Sequence, residues 1–219
     1  MKIRVLTTLF LVLISCKNVT KKETEQVQIV VDSTDLKIET VEKNSGNLKL
    51  TSFLENPIDL QEFKTNKKRA LSTVVNRKEY YLNPKINDSS ILYLYSFLPN
   101  NHFQSKIEQL EIVVFKFGKN KHSWEDNTEI LIELKVKAQD NNLGRANLVG
   151  LSKTELELEF GTEYLTFDNG IIYSNKNKAL LIEFNDSRIK SYNYIKLNTE
   201  KIDKDLVDQI IKQKTLYNI

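Results

Sequence analysis

Cysteine and histidine are scarce in this 219-residue chain, which has one cysteine and two histidines. The single cysteine, Cys16, has no second thiol to pair with, so stability must come from packing rather than from disulfides. Two histidines, His102 and His122, leave too few ligands for a zinc site, which needs three or four. The six glycines form no phosphate-binding loop or dinucleotide fingerprint. The sequence therefore predicts no metal and no cofactor.

Patterns that carry catalysis are missing as well. No Gly-x-Ser-x-Gly nucleophile elbow occurs. The densest acidic cluster, Glu155, Glu157 and Glu159, fits the solvated face of a helix better than the two opposed carboxylates of a glycosidase. We therefore predict that the protein is not an enzyme, and we keep an unrecognised hydrolase as the less favoured alternative.

The first sixteen residues have the order of a bacterial export signal. Lys2 and Arg4 give a basic start, and the apolar run Val5–Ile14 follows, interrupted only by Thr7 and Thr8. Ten residues of helix are too short to cross a hydrocarbon core of ~30 Å, but they suit a signal peptide. The run ends in Leu13-Ile14-Ser15-Cys16. This segment resembles the lipobox of bacterial lipoproteins, except that Ile14 stands where that family more often has Ala or Ser.

The lipobox resemblance implies cleavage before Cys16 and attachment of lipid to that cysteine. Residues 1–15 would be the signal peptide, and Cys16 would carry a diacylglycerol on its thiol and a palmitate-like acyl chain on its amine. Two or more acyl chains anchor a protein stably to a membrane. The expected location is the cell membrane or outer membrane, facing the periplasm or the cell surface. The alternative is an uncleaved helix or a buried free thiol.

Charge and polarity describe the rest of the mature chain. Two of the 32 basic side chains, Lys2 and Arg4, would leave with the signal peptide, while all 29 acidic ones would stay. The mature chain would therefore carry nearly equal numbers of basic and acidic side chains, which argues against nucleic acid as a partner. Residues 16–47 are mostly polar and are predicted to be a flexible tether below the globular region. A short docking strand at Val27–Val31 is the alternative for that stretch.

Residues 48–219 predict an α+β region that is mainly antiparallel β-sheet, with subdomains 48–140 and 141–219 as a further option. A short helix is expected within Thr51–Phe63, with Pro57 at its first position. Strands are expected over four β-prone runs, and for the last of them a helix starting near Asp126 is the alternative. These runs are Leu71–Leu82, Ile91–Phe97, Ile107–Phe117 and Ile130–Ala138.

The clearest local signal is a capped helix over residues 152–160. Ser152 and Glu155 have the spacing of a capping box, and Gly161 can end the helix in a left-handed conformation. A C-terminal β-meander follows, with the runs Tyr164–Phe167, Ile171–Tyr173, Ala179–Phe184 and Ile189–Leu197. A terminal amphipathic helix is expected over Asp203–Lys214.

A second resemblance starts at Gly150-Leu151-Ser152-Lys153 and continues through Glu155 and Gly161 into the meander. Over residues 145–197 this order is similar to the SmpA/BamE-like small lipoprotein domain, although Thr162-Glu163 replaces the proline usual after the glycine. The resemblance implies a short helix followed by three strands, and a role in outer-membrane assembly. Secreted inhibitors that bind an enzyme by a concave sheet share this broad architecture.

Aromatic side chains give the one hint of a binding surface. Alternation along the predicted strand places Tyr93, Tyr95 and Phe97 on one face and Leu92 and Leu94 on the other. If the aliphatic face is core, the aromatic face is a candidate protein-binding surface, and the alternative is that a helix or loop covers it. The basic run Lys67-Lys68-Arg69 is expected to be a solvated turn, with contact to anionic lipid as the alternative.

These observations lead to one functional hypothesis and one alternative. The hypothesis is an envelope lipoprotein with a non-catalytic protein-binding or structural role, whose partners are the membrane and an unknown envelope or secreted protein. The alternative is an inhibitor or immunity-type lipoprotein that blocks a secreted enzyme through its sheet face.

Overall fold

The computed structural model describes residues 47–68, 70–86, 89–97 and 110–216, and they form one large sheet with helices on it. The strands are β1 (Leu71–Val74), β2 (Ile91–Phe97), β3 (Leu110–Lys116), β4 (Ile130–Val136), β5 (Leu165–Phe167), β6 (Gly170–Asn175), β7 (Lys178–Asn185) and β8 (Arg188–Lys196). All neighbouring pairs are antiparallel, in the order β1-β2-β3-β4-β8-β7-β6-β5. The predicted α+β fold with mainly antiparallel sheet is confirmed.

Helices lie on both sides of the sheet. They are α1 (residues 47–55), α2 (Leu60–Lys67), a 3-10 helix (Asn141–Ala146), α3 (Lys153–Phe160) and α4 (Lys204–Leu216). The predicted helix start at Pro57 is wrong, because Pro57 lies in the break between α1 and α2, and α2 begins only at Leu60. Asp59 caps α2, since its side chain accepts the amide of Glu62 at 2.9 Å.

Both faces of the sheet bury apolar side chains. The helical face is covered by α1, α2, the 3-10 helix and α3, and its core includes Phe53, Phe63, Phe97, Leu156 and Tyr194. The opposite face, called the α4 face here, is covered by α4 and by the segment 75–86, and its core includes Tyr81, Phe115, Ile132, Leu181 and Ile210. Burial on both faces explains the nearly continuous apolar runs within β3 and β7.

The predicted helix α3 and its capping box are confirmed, whereas the predicted left-handed helical conformation of Gly161 is not. Ser152 Oγ accepts the amide of Glu155 at 3.2 Å, and the Glu155 carboxylate accepts the amide of Ser152 at 2.7 Å. Gly161 ends the helix with φ 83° and ψ −177°, which is extended rather than left-handed helical, but still a conformation that glycine alone adopts easily. The Gly161 amide donates to the carbonyl of Glu157 at 2.8 Å.

Several strand predictions hold and one is too long. Strand β2 has the predicted bounds, and β4 settles the ambiguous run as strand rather than helix. Strands β5 to β8 form the predicted meander, and α4 is the predicted terminal helix, with Val207 and Ile210 buried. However, β1 ends at Val74, because the chain then turns and packs Tyr80 and Tyr81 onto the α4 face.

The sheet is built from two similar halves. In each half helical segments precede a four-stranded meander, and the last strands of the two meanders, β4 and β8, pair with each other. Helix α2 lies on the first half, whereas α1 lies on the second, where the carbonyl of Leu54 accepts a hydrogen bond from Tyr194 Oη at 2.9 Å. Thr51 and Asn175 are also joined, at 2.7 Å. Division at residue 140 into independent subdomains stays a prediction.

Candidate functional site

The aromatic row of β2 lies on the helical face, under cover. Phe97 packs against Phe63 of α2 with ring centres 5.0 Å apart, and Tyr95 packs against Trp124 at the same distance. Both Tyr95 and Phe97 are buried. The alternative stated for this row, that a helix or loop covers it, is therefore what the structure has. These two side chains offer no exposed binding surface.

Tyr93 is the member of the row nearest to solvent. It is half-buried, and its Oη lies 2.8 Å from Nδ1 of His122. His122 itself is exposed in the turn after β3, as expected for a loop histidine. The other histidine, His102, lies outside the described residues. Within the described ranges, no group of three or more His, Cys, Asp or Glu side chains is placed to hold a metal ion.

A cluster of four buried charges lies beneath the same loop. Lys64 of α2, Lys116 of β3, and Asp126 and Glu129 of the loop before β4 have almost completely buried side chains. The Glu129 carboxylate contacts Lys64 Nζ directly and lies 3.6 Å from Lys116 Nζ, and it accepts a hydrogen bond from Tyr95 Oη at 3.0 Å. The two positive and two negative charges balance within the cluster, which we call the buried charge cluster.

Burial and neighbours shift the ionisation of this cluster. Burial lowers the pKa of the Lys116 ammonium, with the nearby Lys64 acting in the same direction. Burial alone would raise the pKa of Asp126, but hydrogen bonds from the amide and hydroxyl of Thr128 bring it below its usual value. Asp126 Oδ2 is buried with no hydrogen-bond partner among the described residues and lies 3.9 Å from Lys116 Nζ. The contacts of Glu129 with Lys64 and Lys116 fasten α2 and the loop to the sheet.

A second polar network lies on the α4 face, around Glu133 of β4. Tyr81 Oη donates to one carboxylate oxygen, Asn193 Nδ2 donates to the other at 2.6 Å, and Lys78 Nζ lies 3.5 Å from the first. Asn193 Oδ1 is buried with no hydrogen-bond partner among the described residues. The network ties the segment 75–86 to the centre of the sheet.

The buried tyrosines predict an unusual alkaline titration. Burial, as the first cause, raises the pKa of five of the nine tyrosines above the usual range, namely Tyr81, Tyr95, Tyr173, Tyr192 and Tyr194. Raised phenol pKa values contribute stability that is fully present below the unfolded pKa of ~10 and is lost as pH rises through the folded values.

We therefore expect these five phenols to ionise only when the protein unfolds. Tyrosinate absorbance and circular dichroism followed together through an alkaline titration would measure this. In guanidinium all nine tyrosines should titrate near pH ~10, which is the control. If all nine did so while the native dichroism persisted, the described burial would be contradicted.

The predicted basic run is not simply a solvated turn. The Lys67 side chain is nearly buried and forms an ion pair with Asp140 beside the 3-10 helix, whereas Lys68 is exposed with a φ of 61°. Arg69 lies outside the described residues. Lys68 is thus the one described member of the run that presents its charge to solvent.

The two edges of the sheet are its most accessible apolar parts. All four residues of β1 are exposed, and Leu71 and Val74 expose 66% and 58% of their surface. At the other edge, Leu165 of β5 exposes 46%. Neither strand contains a charge or a proline, the residues that commonly protect a sheet edge from pairing. These strands are the candidate functional site.

Neither the edge strands of the sheet nor the buried charge cluster can be predicted well from sequence patterns. The sequence predicts Leu71–Val74 only as part of a longer strand, and no pattern marks which strand of a sheet is outermost. The available signal for the edges is the absence of charge in two short β-prone runs. In the buried charge cluster, Lys64 and Glu129 are 65 positions apart, so no periodic spacing links them.

No protein-family model, no curated protein and no solved structure matches the chain. The likeness of residues 145–197 to the SmpA/BamE-like domain therefore rests on the sequence pattern alone. Cys16 and its preceding run lie outside the described residues. In the part of the chain that is described, no helix combines the length and the apolar character needed to span a membrane.

Proposed function

We propose that the protein is a lipid-anchored component of a bacterial cell envelope whose folded part has a protein-binding or structural role. The observation that carries the anchor is Leu13-Ile14-Ser15-Cys16, which stands at the end of a ten-residue apolar run that itself follows a basic start. The only thiol of the chain stands at the position that takes the lipid in bacterial lipoproteins. The protein would be held on the cell membrane or outer membrane and face the periplasm or the cell surface.

The open sheet edges support the binding role. An exposed strand edge can accept an extended segment of another chain, because the main-chain groups on its outer side are free to pair in the sheet direction. The strands β1 and β5 are short, uncharged and apolar at their exposed ends. Such strands suit pairing with another polypeptide.

Replacing Cys16 by serine should abolish lipid attachment, since a hydroxyl cannot take the place of the thiol that is alkylated. Labelling growing cells with a radioactive or clickable fatty acid measures attachment, and gel mobility measures removal of residues 1–15. We expect no label and an unprocessed precursor. The matched control is Ser15→Ala, which keeps a small residue before the cysteine and should be labelled and processed normally. Full labelling of the Cys16→Ser protein would overturn the anchor.

A further inference from the structure

The two edge strands run in opposite directions, which allows one copy of the sheet to continue into another. Strand directions alternate across the eight antiparallel strands, so β1 at one edge is antiparallel to β5 at the other. A second copy shifted sideways along the sheet would place its β5 antiparallel to β1. The helical faces of both copies would then stay on the same side, so the sheet can extend without turning either copy over.

The main-chain groups that face outward fix the register of such a pairing. The amide of Val75 donates to the carbonyl of Leu92 at 3.0 Å, so alternation turns the main-chain groups of Ser72 and Val74 away from β2. In β5, Phe167 and Gly170 close a hairpin with a two-residue loop, which turns the groups of Thr166 away from β6. If Ser72 lies opposite Thr166 of a second copy, the main-chain groups of these two residues can therefore form both hydrogen bonds of an antiparallel pair.

The pleat of the sheet agrees with this register. Ser72 is paired with Tyr95 and Thr166 is paired with Ile171, and directly paired residues point to the same face of a sheet. Tyr95 and Ile171 both belong to the core of the helical face. Ser72 and Thr166 are therefore on the same face, as two residues opposite each other in a continuous sheet must be.

Charges beside the two edges are opposite in sign. Every charged residue within three positions of β1 is basic, namely Lys68, Arg69 and Arg77. Every charged residue within three positions of β5 is acidic, namely Glu163 and Asp168. In the register set by Ser72 and Thr166, Asp168 falls at the Lys68 end of β1, and Glu163 falls at the Arg77 end. Opposite charges at both ends favour this pairing.

The same charges disfavour the symmetric alternative. Two β1 strands related by a two-fold axis can exchange hydrogen bonds only through the outward-facing Ser72 and Val74. The register that places Ser72 opposite Val74 uses both residues, and it brings the end of β1 next to Lys68 to the end next to Arg77 in the other copy. Like charges facing each other across strands are destabilising. The basic residues that flank β1 therefore favour pairing with the acidic β5 edge of a second copy and disfavour pairing with a second β1 edge.

We propose that β1 binds the β5 edge of a second copy of this chain, so that copies join head to tail through a continuous sheet. This inference rests on the binding role proposed for the edges, and it is independent of the lipid anchor. The contact is heterologous, so it leaves one β1 and one β5 unused at the ends and can add further copies. Because β1 has four residues and β5 has three, each contact is small, and a high local concentration of the protein would strengthen it.

Cysteine cross-linking between two differently tagged full-length chains tests the proposal. One chain carries Ser72→Cys and the other carries Thr166→Cys, and both are produced in the same cells and treated with a mild oxidant. Directly opposed, hydrogen-bonded residues have Cα atoms ~5.5 Å apart, a separation that a disulfide can bridge. We expect a disulfide-linked heterodimer, and little cross-linked product from either variant alone. The parent chain, with Cys16 as its one cysteine, is the control for adventitious cross-links.

Charge exchange adds a second, independent readout. Lys68→Glu in the Ser72→Cys chain should lower the yield of heterodimer at least about threefold, and Asp168→Lys in the Thr166→Cys chain should restore it. Three results would overturn the proposal. They are no heterodimer, equal cross-linking of the Ser72→Cys chain to itself, or cross-linking of the Ser72→Cys chain to a different protein instead. Fatty-acid labelling of the same samples reports separately on the lipid anchor. Cross-linking to a different protein would contradict pairing between copies but would still support a binding role for the β1 edge.

Discussion

Replacement of Glu129 by alanine should destabilise the folded protein by ~3–5 kcal/mol, because it leaves two buried ammonium groups with one carboxylate between them. Glu129 lies at the centre of the buried charge cluster, where it contacts Lys64 and is 3.6 Å from Lys116. Taking a charge out of water costs several kcal/mol, and only a buried partner offsets that cost. Chemical denaturation followed by circular dichroism would measure the change in the free energy of unfolding.

A surface ion pair provides the matched control. Glu159 pairs with Lys49 at 3.0 Å, but both side chains are half exposed, so Glu159→Ala should cost less than ~1 kcal/mol. A second comparison isolates charge from packing. Adding Lys64→Met to Glu129→Gln restores the balance of charge and should recover part of the stability lost in Glu129→Gln alone. Equal unfolding free energies for Glu129→Ala and Glu159→Ala would show that the cluster is not buried.

Phe97→Ala should also remove a large fraction of the stability, ~3–5 kcal/mol, because the ring fills the core beneath α2. Phe97 exposes 2% of its surface and packs on Phe63 and on Trp124, whose ring centre is 6.4 Å away. Native domains have a total stability of ~5–15 kcal/mol, so this single loss brings the fold near its limit. Thermal and chemical denaturation would both show it.

The stability of the Phe97→Ala protein also shows whether the aromatic row of β2 belongs to the core or to a binding surface. Leu71→Ala on the adjacent strand is the matched control, since Leu71 pairs with Ser96 but is mostly exposed, and we expect a change within ~0.5 kcal/mol. If the Phe97→Ala protein were as stable as the parent, Phe97 would not be part of the core, and the aromatic row would again be a candidate binding surface.

Local patterns predict the elements whose determinants are local. The capping box of Ser152 and Glu155 defines α3 within its own turn. The alternation of Ile130, Ile132 and Leu134 predicts the strand β4, although Ile132 packs on the α4 face and Leu134 on the helical face. Hairpin signals at the spacing typical of adjacent antiparallel strands place β5 to β8. These elements need no information from distant parts of the chain.

Properties that depend on distant residues are not predictable in the same way. Alternation correctly puts Tyr93, Tyr95 and Phe97 on one face, but it cannot tell which face a helix will cover, because the cover is α2, a separate element well before β2 in the sequence. The burial of Lys64 and Lys116 likewise depends on Glu129, which belongs to another loop. Sequence alone treats such lysines as solvated, since unpaired lysines almost never lie inside a protein.

The placement of α1 has a consequence for the order in which the chain folds. This helix is among the first parts of the folded region to be synthesised, yet the side chains it contacts come late, with Leu54 and Tyr194 separated by 140 positions. Phe53 packs on Phe160, and Glu55 pairs with Lys178. The apolar side of α1 therefore has no place to bind until the second meander exists. Chains interrupted before β8 should expose this helix and need protection from aggregation, while the hairpins themselves form early from contacts close in sequence.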